Sequence, residues 1–349
     1  LKQLLQAVTV GIAMVSAAAA AGQATAPGGA QQSTKPAAPA APASPQKPLK
    51  LQSLGQETVA DPFPPIDPKN FTADSPTAST VDSYLHTVLG YDPNRIWRVA
   101  AIQTTQAPGV VRVIAFISEK TPNAKVQTAS FFITPDGKHL IADNNVLPFG
   151  PDPYAPARAI LQPRANGPSL GAKSNALMLV EFSDLQCPHC KEAEPTMKRL
   201  EEDFPQAKVV FENFPLTSIH PFAEKAALYG VCVAKKGDEA FFTYARAVYD
   251  TQGGLTEADA ETTLKAAVTK AGADPASVAA CAATPEAKST VDASAKLAAD
   301  LGISQTPMLM VNGRPVPLGA IPYETLKQLV IFQAGLDGVT LPSAPLKLK

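Results

Sequence analysis

The sequence predicts an α/β protein in which a β-α-β unit, a helical insertion of about eighty residues and a β-β-α ending follow a small α+β unit. Three observations carry this. "ALMLVEFSD", 176–184, is a near-continuous apolar run, the mark of a strand buried on both faces. A helical stretch from Cys187 to Phe204 and an extended "AKVVFENFP" follow, the order that builds a parallel sheet. Residues 219–302 are Ala-rich and helical, broken at Gly237, Gly253–Gly254, Gly272–Pro275 and Pro285. After them come a strand "TPMLMV" at 306–311, an "NG" hairpin signal at 312–313, a strand "RPVPLG" and a last helix, Tyr323–Ala334.

Ahead of this, Val81, Tyr84, Leu85, Val88 and Leu89 share one helical face, and Gly90 ends the helix. Extended runs follow at Arg95–Thr104, Val110–Ser118 and Gln127–Thr134, and "PDGK" at 135–138 turns into a fourth, "HLIA". Residues 65–150 therefore read as one helix with about four antiparallel strands. His86 and His139 are isolated there and read as surface residues. The Pro- and Gly-rich stretch 151–172 reads as a linker, which places the second domain at 173–337, with its insertion at about 219–302, and a tail at 338–349.

Residues 1–24 read as a secretory signal. Lys2 is the positive start, a mildly apolar stretch follows, and cleavage near Ala21 or Ala24 fits the small-residue rule. An uncleaved anchor is the alternative, but the stretch falls short of the ~20 strongly apolar residues of a span. Residues 25–64 are a Pro/Ala-rich spacer. The expected location is periplasmic or otherwise extracytoplasmic. A net charge of −1 gives no reason to expect nucleic acid as a partner.

The chemistry centres on Cys187 and Cys190 in "FSDLQCPHCKEAEP". Lys191 stands where a c-type haem site needs His. A structural zinc wants four ligands, usually two close pairs, and Cys232 and Cys281 lie far apart, so no metal is expected. A structural staple rarely closes so short a loop. A redox pair remains. Cys187 at a helix start would be exposed and stabilised as thiolate by unpaired N–H groups and the macrodipole. Cys190 would lie one turn in and be covered. Pro188 suits the first helical position. A protonated His189 would lower the Cys187 pKa further, making the disulfide a strong oxidant, unless it is a passive surface residue.

"EFSDLQCPHC" after a buried strand resembles the DsbA-like thiol–disulfide oxidoreductases of the thioredoxin superfamily, whose thioredoxin fold is interrupted by a helical subdomain. The resemblance covers 173–337. It implies that Glu181, an acid among apolar neighbours with a raised pKa, moves protons to or from Cys190. It implies a cis-proline loop at Thr306–Pro307, where Thr306 contacts the sulfurs and the backbone at Pro307 binds the substrate chain. "IHPFAEKAA", 219–227, is similar to the segment opening the family's insertion, and His220 within it reads as structural. Cys232 and Cys281 are expected to form a structural disulfide inside the insertion, a second redox pair being the alternative. The front unit is loosely similar to the dimerisation domain of DsbC-type isomerases. The resemblance thus implies an exported oxidase that needs no cofactor beyond the Cys187–Cys190 disulfide. Its substrates would be reduced secreted or periplasmic proteins, and a membrane partner would reoxidise it. Two alternatives stand beside this: an isomerase or reductase that is a homodimer through 65–150, and a non-catalytic peptide-binding chaperone.

Overall fold

A computed structural model describes residues 61–341. The predicted signal at 1–24, the spacer as far as residue 60 and the tail from 342 lie outside the described residues. No helix among the described residues is long and apolar enough to cross a membrane.

The chain folds into two sheets joined by a short connection. In the front unit, helix α1 (Ala78–Leu89) covers one face of an antiparallel sheet of strands β1 (Arg95–Thr104), β2 (Val111–Glu119), β3 (Gln127–Ile133), β4 (His139–Ala142) and β5 (Asn145–Pro148), in the order β1-β2-β3-β4-β5. Thr77 caps α1, its hydroxyl accepting from the Thr80 N–H. Val81 and Leu85 pack on Val113, Ala115, Phe131 and Leu140. The alternation along β2 and β3 puts every second side chain into this core. The unit has one strand more than the four the sequence suggested. "ADNN" is a two-residue hairpin: Asp143 takes φ +52°, which a short polar side chain tolerates, and Asn145 pairs back to Ala142.

The second sheet runs β10-β9-β7-β8-β6. Its strands are β6 (Ser169–Gly171), β7 (Met178–Ser183), β8 (Lys208–Asn213), β9 (Met308–Val311) and β10 (Arg314–Pro317). β7 and β8 are parallel; the other pairs are antiparallel. β7 is buried throughout, because helices lie on both its faces. On one face Leu179 meets Met197 and Leu200 of α3 (Pro188–Asp203) and Val330 of α9 (Tyr323–Leu336). On the other, Val180 and Phe182 meet Leu161 of α2 (Ala155–Leu161) and Leu297 of α8 (Pro285–Asp300). The insertion holds α4 (Ala223–Ala234), α5 (Asp238–Asp250), α6 (Ala260–Lys270), α7 (Pro275–Ala282) and α8. This is the α/β fold class predicted.

The stretch 151–172 is not a plain linker: it carries α2 and β6. Leu161 and Ala165 are buried against the sheet, and β6 pairs with Val210, Val209 and Lys208. Its glycines, read as linker composition, permit close backbone approach. A Cβ on Gly167 would stand 1.9 Å from the Phe211 carbonyl oxygen, and one on Gly171 would stand 2.3 Å from that of Ala207.

Candidate redox site

Strand β7 delivers the site. Its residues Glu181 and Ser183, two apart, project to one face, and the chain then turns through Asp184–Gln186 into α3. Cys187 is the N-cap of α3, with extended backbone and no side-chain cap bond, and Pro188 takes the first helical position. The sulfur therefore replaces a capping oxygen and faces unpaired N–H groups. Cys187 and Cys190 are free thiols.

The Cys187 thiol is held down to about 5, first by the hydrogen bond from the Cys190 thiol and then, against the opposing effect of burial, by Thr306 and the backbone N–H groups of Cys190 and His189. Cys190 moves the other way, pushed well up by burial and by its bond to Cys187. The Asp184 N–H donates to the Cys190 sulfur at 3.4 Å. Across the site, Thr306–Pro307 is a cis peptide bond, and the Thr306 carbonyl lies 3.9 Å from the Cys187 sulfur. The Thr306 hydroxyl is buried with no hydrogen-bond partner among the described residues. It is placed to donate to either sulfur when ionised.

Cys187 was expected to be exposed, yet it is only 4% accessible. It belongs to the core of the insertion, with Leu185, Cys190 and Leu255. Two glutamines close the insertion over the turn. The Gln252 side chain donates to the carbonyls of Leu185 and Cys187, both at 3.0 Å. Gln186 accepts from the Phe222 N–H at 2.7 Å.

Glu181 is buried, and burial raises its carboxyl to about 7, with Glu194 adding to the rise. The Ser183 hydroxyl acts on both Glu181 and Cys190, favouring the charged form of each. It also lies 3.0 Å from the Tyr249 hydroxyl of α5. A cavity of about 50 Å³ reaches Glu181 between β8, α3 and α5. A polar line thus runs from Cys190 through Ser183 to a carboxyl that titrates near neutrality. Asp184 anchors the turn, accepting from the N–H groups of Gln186 and Leu216 at 2.7 and 2.9 Å and from His220 Nδ1 at 2.7 Å.

His189 points to solvent and pairs with Glu192 at 3.0 Å. Glu192 raises its pKa, and the Cys187 thiolate adds to that rise. What His189 gives the sulfur most directly is its backbone N–H. Cys232 of α4 and Cys281 of α7 form a disulfide within the core of the insertion. Ser183, Tyr249, Gln252 and the turn residue Asp184 complete the site. Of these, Ser183 was legible from its two-residue offset from Glu181. Tyr249 and Gln252 come from more than sixty residues away and left no local signal.

Residues 164–330 match the family model described as Thioredoxin. Among solved structures, the chain is similar to the catalytic domain of Proteus mirabilis ScsC, with 25% identity and a TM-score of 0.44 over 52% of this chain and 96% of that one. BdbD from Bacillus subtilis in its oxidised form gives 20% and 0.43 over 48% and 93%. The thiol-disulfide exchange protein alpha-DsbA2 from Wolbachia pipientis gives 20% and 0.44 over 51% and 96%. Among curated proteins, a Na(+)/H(+) antiporter, NhaA 3 of Salinispora tropica, is 34% identical over 67 residues, which is 19% of this chain. NhaA 1 of Salinispora arenicola is 34% identical over 89 residues, 26% of this chain. The matched stretches span only 10% and 13% of those curated relatives. Residues 164–330 are thus similar to the thioredoxin family, and the Cys187–Cys190 pair at the start of α3 falls inside the matched stretch.

Proposed function

We propose that the chain is an exported oxidase of protein thiols and that Cys187–Cys190 is its redox centre. The observation that carries this reading is the placement of the two free thiols: Cys187 caps the start of α3, where its thiol is held acidic, and Cys190 is buried inside the helix, where its thiol is pushed up. A low-pKa thiolate is a good leaving group and stabilises the reduced form, so the disulfide gives up its oxidising equivalents readily.

In the oxidised state a substrate thiolate attacks the Cys187 sulfur. The Cys187–Cys190 bond breaks, a mixed disulfide forms on Cys187, and Cys190 leaves as a thiolate. Its raised pKa demands a proton, which Glu181 supplies through Ser183. A second substrate thiolate then attacks the substrate sulfur of the mixed disulfide. Cys187 departs as a thiolate, held by the α3 N–H groups and the Thr306 hydroxyl. Two substrate thiols have become one disulfide, and the enzyme pair has taken up both electrons. A membrane redox partner would then reoxidise it, outside the cytoplasm. The Thr306–Pro307 backbone would hold the substrate chain, and no cofactor beyond the pair itself is invoked.

Equilibration of the Cys187–Cys190 pair with glutathione tests this. A reduction potential near about −120 mV is expected, and one near about −270 mV would make the protein a reductase. The isomerase reading draws its support from the front α+β unit. It requires a dimer through residues 65–150 in sedimentation, together with reshuffling of a scrambled disulfide substrate.

A further inference from the structure

Between the front unit and the β10 edge lies a cavity of about 330 Å³. Its walls are mostly apolar and include Leu147, Leu301, Val316, Ile321 and Leu329. Its polar lining comes from four residues: Tyr84 of α1, Tyr91 just beyond it, Tyr154 before α2 and Arg314 of β10. Both units and the connection between them therefore contribute.

The Arg314 guanidinium is buried, with the rings of Tyr91 and Tyr154 at 4.9 and 5.2 Å from its central carbon. Two of its N–H groups donate to the carbonyls of Thr87 and Val88 at 3.1 and 2.7 Å. It has no carboxylate partner, and its remaining N–H groups have no acceptor, among the described residues. The hydroxyls of Tyr84, Tyr91 and Tyr154 also lack a hydrogen-bond partner among the described residues. Tyr84 and Tyr91 are nonetheless only 4% and 8% accessible. Their oxygens are not sealed in protein, so the hydroxyls stay open to the chamber that the three residues line. Burial raises all three phenols, so they stay protonated and can donate. Three phenolic donors and a guanidinium held only by main-chain carbonyls and aromatic faces thus line a mostly apolar chamber.

We propose that this chamber binds a small amphipathic monoanion, a carboxylate on an aliphatic or aromatic body. Arg314 and the three phenols would donate to the carboxylate, and the body would lie against Leu147, Val316 and Leu329. A single guanidinium matches one negative charge and suits the planar fork of a carboxylate. At ~30 Å³ per water-sized volume the chamber holds about eleven such volumes, which is of the order of decanoate with its roughly twelve non-hydrogen atoms. Because the walls come from both units, the ligand would also hold them together.

The test is calorimetric titration of the full chain with decanoate, with decanol as a neutral control of the same body. Decanoate is expected to bind at least tenfold more tightly than decanol. A Tyr84→Phe/Tyr154→Phe variant should keep the parent's melting temperature, since the lost hydroxyls have no protein partner, and should lose at least tenfold in decanoate affinity. Equal binding of decanoate and decanol overturns the proposal. So does no binding at millimolar decanoate, or full affinity in a folded double variant. The decanoate–decanol comparison needs no variant and decides the matter even if the double variant does not fold. The Cys187–Cys190 potential is a separate measurement, so this proposal can fail while the oxidase reading stands, and the reverse.

Discussion

Replacing His189 by Ala tests where the acidity of Cys187 comes from. The imidazole is solvent-exposed and paired with Glu192, and its contribution that reaches the sulfur most directly is a main-chain N–H, which Ala retains. The thiolate absorbance of H189A near 240 nm should therefore titrate within about one unit of the parent's midpoint near pH 5. Cys190→Ala removes the foremost cause of the low value and should raise the midpoint further than H189A does. Glu181 gives a second prediction at this scale. Its carboxyl titrates near 7 when folded against an ordinary 4.5, so the folded chain holds the proton more tightly. Its contribution to stability is full below about 4.5 and is lost as pH rises to 7, a total of about 3 kcal/mol. Glu181→Gln should consequently raise the denaturation midpoint at pH 8, leave it nearly unchanged at pH 4.5, and slow reduction of the enzyme disulfide by a peptide dithiol. A lower midpoint at pH 8 would contradict this account of the residue. The cysteines, Glu181 and Thr306 could be read from the chain because each lies in a short motif with its own chemistry. The cover over Cys187 could not, because Gln252 reaches it from the turn that follows α5, far along the chain.

Helices α4 and α7 are joined by the Cys232–Cys281 disulfide, which spans a separation of 49 residues. Closing a loop of that length restricts the unfolded chain by about 4 kcal/mol. The Cys232→Ser/Cys281→Ser variant should lose stability of that order in a denaturant titration, with little change in the Cys187–Cys190 potential, since neither sulfur is among the groups that set the acidity of Cys187 or Cys190. A large shift in that potential would instead make Cys232–Cys281 a redox participant. Strand β6 offers a second test. In Gly167→Ala the new methyl would collide with the Phe211 carbonyl, so β6 must lift from β8 at a cost of about 2 kcal/mol or more. Faster amide exchange at Val209 and Phe211 would report it. This strand was hidden in the sequence, because glycines that allow backbones to touch have the same composition as glycines in a flexible linker. The strands of the front unit were legible, because their alternation follows directly from one covered face.

Docking of the two units rests on Arg314, whose guanidinium meets the last carbonyls of α1, where the helix dipole is negative. Thr87 adds a hydrogen bond to the Pro151 carbonyl, and His86 packs edge-on against Phe332. Arg314→Met removes two charge-assisted bonds, worth about 3 kcal/mol together. Proteolysis of the connection near residues 150–154 should accelerate as the units separate, and an unchanged cleavage rate would show that the remaining contacts suffice. None of this was visible in the sequence, where Arg314 reads as an ordinary hairpin residue. The same hairpin has another effect. Arg314 and Val316 face β9 in register with Val311 and Leu309, so Pro315 and Pro317 occupy the positions whose nitrogens point away from the sheet. The outer rim of β10 is therefore stripped of amide donors at two successive sites. Under the proposed oxidase reading the substrates are unfolded chains that seek strands to join, and this border offers them too few donors to start a growing sheet.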